Sequence, residues 1–104
     1  MSDFLKMEED IVTMIKTVYD PEIPIDIYNL GLIYGVDVDE DKNVTITMTL
    51  TAPNCPAADF IIEDVRFKVQ TVKGVNNVII DLTFDPPWHR DMLSEEAKLE
   101  LGFL

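Results

Sequence analysis

The sequence is short of cysteine: its 104 residues contain one, Cys55. A single thiol cannot form a disulfide within the chain. It also provides only one of the four ligands that structural zinc sites and most iron–sulfur clusters require. The only histidine, His89, does not make up the difference. A metal centre would therefore have to be shared with another copy of the chain or with a partner.

Basic residues are also scarce, with 8 lysines and arginines against 20 acidic residues and a formal net charge of −12. Nucleic-acid binding requires a basic surface, so this charge balance argues against it. Anionic membrane surfaces are disfavoured for the same reason. The composition predicts an acidic, soluble domain that is compatible with a basic protein partner.

Long apolar runs and common enzyme signatures are absent as well. The longest apolar stretch, residues 30–36, is too short to cross a bilayer, and the N-terminus is acidic where a signal peptide would be basic. Together with the lone thiol, this predicts a cytoplasmic chain. No phosphate loop, nucleophile elbow or dinucleotide fingerprint is present, so the sequence predicts that the chain is not an enzyme.

The first half of the chain predicts a helix and a β-hairpin. A helical period runs from Glu8 to Val18, and Asp20-Pro21 ends it because the residue before a proline disfavours helix. The period then changes to two on either side of a polar turn at Asp39–Asn43. The apolar residues expected on one face of the two strands are Leu32, Tyr34, Val36 and Val38, then Val44, Ile46, Met48 and Leu50.

The second half begins with a longer helix. Pro56 suits its first position, where a missing N–H costs nothing, and Gly74 suits the left-handed residue that follows its end. The apolar stripe expected to face the core is Ile61, Val65, Val69 and Val72.

A third strand and a short helix complete the predicted fold. The strand alternates through Val78, Ile80, Leu82 and Phe84. Ser94 begins the short helix, from which Leu99 and Leu101 are expected to pack on the core. The pattern predicts one α/β (α+β) domain over residues 1–104, in which helices cover a small mixed sheet containing an antiparallel hairpin.

Cys55 is the candidate functional thiol. If the long helix begins at Pro56, the thiol lies at or beside the helix N-cap, where the partial positive charge of the helix favours a thiolate. The net charge and the nearby Asp59 favour the neutral thiol instead. A cysteine that is simply a small buried hydrophobic residue is the alternative.

Other candidate residues surround this thiol in the sequence. The stiff proline-containing loop could hold Asp20 and Glu22 near Cys55, or Asp20 could merely end the first helix while Glu22 is solvated. Thr51 could line a cavity beside the thiol, or be an ordinary strand residue. Trp88 is expected to anchor the edge of the core, with a partner surface as the alternative. His89 is expected to be a surface residue.

Four segments together resemble a known family. They are YDPEIPIDIYNLGLIY at residues 19–34, MTLTAPNCPA at 48–57, FDPPW at 84–88 and MLSEEA at 92–97, which runs on to LGF at 101–103. In this order and spacing they look like the SufT family, also called the metal-sulfur cluster biosynthetic or PaaD-like family. Its members include the eukaryotic cytosolic iron–sulfur assembly subunit that helps to target clusters to recipient proteins.

The resemblance implies an accessory or adaptor role in iron–sulfur cluster assembly and in the maturation of iron–sulfur proteins. It implies that Cys55 makes transient contact with a cluster, a metal or a carrier's sulfur, supported by Asp20, Glu22 and Thr51. No cofactor is expected to be stably bound. The expected partners are iron–sulfur assembly proteins and recipient apo-proteins, and a homodimer is left open.

Three alternatives to this role remain at this point. The chain could be an interaction module in which Cys55 is structural and the surface around Trp88 binds a partner. It could be a small thiol enzyme, although no resolving cysteine is present. One branch of the family is associated with a phenylacetyl-CoA ring-epoxidase system, but that branch carries additional C-terminal cysteines that this sequence lacks.

Overall fold

The order of helices and strands follows the predicted order. The computed structural model describes residues 2–19, 25–50 and 58–102. Its elements are α1 (Ser2–Ile15), β1 (Ile33–Val38), β2 (Asn43–Met48), α2 (Ala58–Gln70), β3 (Asn77–Leu82), a 3₁₀ turn (Arg90–Met92) and α3 (Glu95–Glu100). In the described ranges, no helix has both the length and the apolar character needed to cross a membrane.

The three strands form a mixed sheet in the order β1-β2-β3. β1 and β2 are antiparallel neighbours joined by the predicted hairpin turn, and β3 lies parallel to β2 on the other side. A parallel pair needs a crossover connection, and α2 provides it. The predicted α/β fold with a small mixed sheet is therefore confirmed.

The core lies between one face of the sheet and the two long helices. Ile11 and Ile15 of α1 are completely buried, as are Val44, Ile46 and Met48 on the inner face of β2. The predicted stripe of α2 is confirmed, because Ile61, Val65, Val69 and Val72 are all buried. Gly74 after that helix has a φ of 95°, the left-handed conformation predicted for it.

The first helix differs from its prediction at both ends. It begins at Ser2 rather than Glu8 and ends at Ile15 rather than Val18. The earlier start brings Met7 into the core. The end tightens into a turn, in which Val18 donates its backbone N–H to the Ile15 carbonyl at 3.0 Å, so Val18 is buried without being helical.

Tyr34 does not share the inner face of β1, contrary to the prediction from strict alternation. An irregularity between Ile33 and Gly35 shifts the register, so Ile33 lies opposite the buried Met48. An extra residue in one strand reverses the faces of the residues beyond it. The Tyr34 hydroxyl instead donates to the Pro86 carbonyl at 2.7 Å.

The end of the chain also departs from the prediction in two places. β3 ends at Leu82, and Phe84 lies beyond it and is partly exposed. Ser94 caps α3 as predicted, its side chain accepting the Ala97 N–H. Leu99, however, is 65% exposed, because the buried side of α3 follows Leu93, Ala97 and Leu101 at intervals of four residues.

The hairpin turn is organised by the Asp39 carboxylate. Oδ1 accepts the backbone N–H groups of Asn43 and Asp41, both at 2.9 Å. These hydrogen bonds, that from Asn43 above all, lower the pKa of Asp39 below its ordinary value. The turn predicted at residues 39–43 is therefore fixed by its first residue.

A C-terminal segment, residues 86–94, is docked on residues 29–34. The Trp88 indole N–H donates to the Leu30 carbonyl at 2.7 Å, and the Ser94 N–H donates to the Asn29 carbonyl at 2.9 Å. Gly31 directly follows these two acceptor residues with a φ of 83°, and a Cβ placed on it would lie 2.3 Å from the Met92 carbonyl oxygen. The docked segment leaves room for glycine alone at this position.

We expect Gly31→Ala to lower the free energy of unfolding by about 2–5 kcal/mol, since the positive φ and the clash with Met92 add together. Gly102→Ala isolates the cost of the φ angle, because Gly102 has a φ of 78° and nothing within 4 Å of the added Cβ. It should cost about 1–2 kcal/mol. Urea denaturation measures both variants, and equal losses would contradict the close approach of residue 92.

Thr49, just after β2, carries a polar group with an unusual environment. Its backbone N–H donates to the Leu32 carbonyl at 2.8 Å, and its side chain is completely buried. Within the described part of the chain, its hydroxyl has no hydrogen-bond partner. A buried hydroxyl without a partner costs about 1–3 kcal/mol, so this residue is a weak point of the fold.

We expect Thr49→Val to raise the free energy of unfolding by about 1–2 kcal/mol, because it replaces the unpaired hydroxyl with a methyl group of similar size. Thr47→Val is the matched control, since Thr47 is only partly buried and should change stability by about 0.5 kcal/mol or less. Both values come from urea denaturation. A loss of stability in Thr49→Val would mean that the hydroxyl is paired.

Candidate functional site

The four residues that the sequence places at the functional site are Asp20, Glu22, Thr51 and Cys55. All four lie in the stretches 20–24 and 51–57, outside the described residues. Pro56 as the first residue of the helix lies there too. Their mutual geometry stays a prediction, and the described residues on either side of the two stretches define the surroundings.

The ends of the first stretch are held together. Tyr19 and Asp26 form an isolated antiparallel bridge, and the Ile27 N–H donates to the Val18 carbonyl at 2.9 Å. The chain therefore leaves and re-enters the described fold at one point, so residues 20–24 connect two paired ends.

The described ends of three motif segments lie at one end of the sheet. The start of β1, the end of β2 and the end of β3 form one row, in which Ile33 pairs with Met48 and Met48 pairs with Leu82. The Thr83 N–H extends this row by donating to the Met48 carbonyl at 2.9 Å. The chain thus leaves β2 toward residues 51–57 at the end of the sheet where it leaves β3 and enters β1.

Contacts at the first turn of α2 connect this end of the sheet to the first stretch. Tyr19, Phe60, Ile61 and Asp64 line one hollow of about 220 Å³. Tyr19 precedes stretch 20–24, whereas Phe60 comes soon after stretch 51–57. The described residues that flank the two predicted motif segments are therefore neighbours in the fold.

Asp26 is a buried acidic residue that the sequence pattern did not single out. Its two carboxylate oxygens accept the backbone N–H of Asn29 at 3.0 Å and the Asn29 side-chain amide at 2.7 Å. The available signal was an aspartate three residues before an asparagine, a spacing suited to closing a turn. Because Asp26 also pairs with Tyr19, this turn fixes the far end of the first stretch.

A second hollow, of about 300 Å³, lies beside this turn. Its described lining is mostly polar, and consists of Tyr19, Ile25, Asp26, Asn29, Glu96, Ala97 and Glu100. Its three carboxylates make it acidic and suited to a cationic or hydrogen-bond-donating group. In the part of the chain that the structure covers, no three acidic, cysteine or histidine side chains come close enough to bind one metal ion.

Trp88 and His89 take the positions first expected of them. The Trp88 ring is partly buried against the core, and its N–H is satisfied by Leu30, so the residue anchors the C-terminal segment. Its use as a partner surface stays a prediction. The His89 side chain is 67% exposed and lies 3.5 Å from the Asp91 carboxylate, which confirms it as a surface residue.

The comparisons with known proteins identify a family and a fold. A family model described as iron–sulfur cluster assembly protein matches residues 8–80. A crystal structure of a domain of unknown function, DUF59, from Bacillus anthracis superposes with a TM-score of 0.89 at 39% identity, covering 95% of this chain and 94% of that one. The structural match to the Bacillus anthracis domain therefore extends beyond the α1–β3 unit into the docked C-terminal segment.

Two curated relatives extend the similarity over nearly the whole sequence. The chain is 72% identical to an Fe-S protein maturation auxiliary factor of Porphyromonas gingivalis, over 99% of this chain and 98% of the relative. It is 41% identical to the Fe-S protein maturation auxiliary factor SufT of Staphylococcus aureus, over 82% of this chain and 97% of the relative. The resemblance to the SufT family is confirmed, and the chain belongs to the iron–sulfur cluster assembly protein family.

Proposed function

We propose that this chain is an accessory factor in the maturation of iron–sulfur proteins, acting as an adaptor without enzymatic turnover of its own. The observation that carries the proposal is the near full-length similarity to proteins named as maturation auxiliary factors. The fold supports it, because the described residues flanking both motif stretches meet at one end of the molecule. We place the chain's action in the cytoplasm, with iron–sulfur assembly proteins and recipient apo-proteins as partners.

Cys55 is the residue proposed to act on the cargo. It would contact an iron–sulfur cluster, an iron ion or a carrier's sulfur during transfer, with Asp20, Glu22 and Thr51 around it. The sequence holds one cysteine and one histidine, so a cluster at Cys55 would take its remaining ligands from a partner or a second copy. Such shared ligation suits a cargo that is passed on.

The net negative charge of the chain affects how readily a bound cluster would be released to a recipient. With a net charge of −12, the chain attracts ferrous iron and basic protein surfaces and repels anionic clusters that carry thiolate ligands. An anionic cluster held by one thiolate would therefore be bound weakly. We propose that this weak hold favours release to a recipient that supplies more thiolates.

In cells limited for iron, we expect Cys55→Ala to reduce the activity of an iron–sulfur hydro-lyase to the level of a strain lacking the gene. The physical reason is that alanine fills the space of a small side chain but cannot ligate iron or sulfur. Cys55→Ser should behave in the same way, because a hydroxyl is a poor substitute for a thiolate. Hydro-lyase activity in extracts, normalised to enzyme protein, is the measurement.

The amount of each variant by immunoblot and its melting temperature show whether the protein is intact. Wild-type hydro-lyase activity with Cys55→Ala, under conditions where the gene deletion loses it, would remove the chemical role of the thiol. A docking function would then remain. Iron and sulfide counts after purification without oxygen, alone and with a recipient apo-protein, test the transient contact directly.

A further inference from the structure

Two phenylalanines on α2 lie on its outer surface. Phe60 is 79% exposed and Phe67 is 66% exposed. They are two helical turns apart and therefore share one face. Ile61, Val65 and Val69 form the opposite face and are buried in the core. The two aromatic rings thus contribute little to the fold and are available to a partner.

Acidic side chains accompany these rings. Glu63 and Asp64 lie between them on the same side of the helix, and we call Phe60, Glu63, Asp64 and Phe67 the Phe60–Phe67 face. A wide hollow of about 570 Å³ is lined by Asp59, Phe60, Glu63 and Asp64. Glu63 pairs with Arg66, whereas no described cation lies within salt-bridge distance of Asp59 or Asp64. The face is therefore apolar at two points and negatively charged between them.

We propose that the Phe60–Phe67 face is a docking surface for a protein partner that presents an apolar groove rimmed by lysine or arginine. Aromatic residues are enriched at protein interfaces, and each ring buries about 150–250 Å² when covered. The acidic residues between the rings specify the sign of the partner's charge. The identity of that partner rests on the function proposed above, whereas the existence of the docking surface is argued from exposure and charge alone.

Charge complementarity decides against two other occupants. A second copy of this chain carries the same net charge of −12, and a symmetric contact through this face would bring Asp59 and Asp64 of both copies close together. An anionic membrane surface would be repelled by the same carboxylates. A basic protein surface gains from both the rings and the charges.

The position of the face gives it a direct relation to the motif segments. Phe60 and Asp64 share the 220 Å³ hollow with Tyr19, the last described residue before stretch 20–24. α2 itself begins immediately after stretch 51–57, which contains Cys55. A partner docked on the Phe60–Phe67 face is therefore held beside the segments proposed to handle the cargo.

A photo-crosslinking residue tests this surface in the full chain. Benzoylphenylalanine replaces Phe67 in cells that express the protein from its own gene, and it replaces Ile79 in a matched control. Ile79 is 54% exposed but lies on β3, away from the helix. We expect a crosslinked protein from position 67 and not from position 79, with the linked peptide lying beside lysine or arginine on the identified partner.

Binding of that identified protein, purified, then gives the quantitative test. We expect Phe60→Ala and Phe67→Ala each to weaken binding by roughly tenfold or more. Asp64→Asn should weaken it less and should reduce its salt dependence, because it removes an attraction that salt screens. Ile79→Ala should bind as the wild type does. Circular dichroism melts confirm that the variants are folded.

Several results would overturn the docking surface. These are crosslinking of position 67 only to a second copy, no product at position 67, or binding that salt and the phenylalanine variants leave unchanged. The experiments also distinguish failure of the docking surface from failure of the proposed role of Cys55. Loss of hydro-lyase activity in Cys55→Ala with unaltered activity and binding in Phe60→Ala rejects the surface alone. Full activity in Cys55→Ala with weakened binding in the phenylalanine variants rejects the thiol chemistry alone.

Discussion

The docking of residues 86–94 on residues 29–34 is the contact on which the rest of the structure depends. It joins parts of the chain more than 50 residues apart through two backbone carbonyls, those of Asn29 and Leu30, which accept N–H groups from Ser94 and Trp88. Gly31, which follows Leu30, allows the two backbones to approach. Asn29 is also the last residue of the turn that begins at the buried Asp26, so the docked segment holds this turn in place. Asp26 in turn pairs with Tyr19, which joins the two ends of stretch 20–24.

α2 serves the fold and the proposed function with opposite faces. The helix connects β2 to the parallel strand β3, and the apolar stripe on its inner face packs against the sheet. Its outer face carries two exposed phenylalanines among acidic residues. Its first turn lies beside Tyr19, at the end of the sheet where three motif segments converge. One helix thus relates the core, the candidate surface and the stretch that contains Cys55.

Local patterns were sufficient to predict most of the elements. The hairpin, the stripe of α2, the left-handed Gly74 and the Ser94 cap each depend on a few neighbouring residues, and each is confirmed. Tyr34 was misplaced because strict alternation allows for no bulge, although Gly35, a glycine inside the strand pattern, was the available signal for one. Leu99 was misplaced because a six-residue helix offers too few positions to identify its buried side.

The candidate site was predictable in a different sense. Cys55, Asp20, Glu22 and Thr51 were singled out by their positions in the sequence and then by the motif resemblance; the family that the motifs indicate is confirmed, while the roles of the four residues stay predictions. What the sequence could not indicate is the long-range part. The Asp26–Asn29 turn is local and had a signal in the sequence, but the hollow beside Tyr19 depends on contacts between distant segments, and the exposure of Phe60 depends on which helix face the sheet covers.

The parallel alignment of β2 and β3 has a practical consequence at the opposite edge of the molecule. The 39–43 turn and the connection from α2 to β3 meet there, where the Asn76 N–H donates to the Lys42 carbonyl at 2.8 Å. The start of β1 and the ends of β2 and β3, where three of the motif segments adjoin the sheet, lie at the other end. A fluorescent dye or an affinity tag attached to the solvent-facing side chains of Glu40 or Asp41 would report on this protein while leaving the end of the sheet that adjoins the motif segments uncovered.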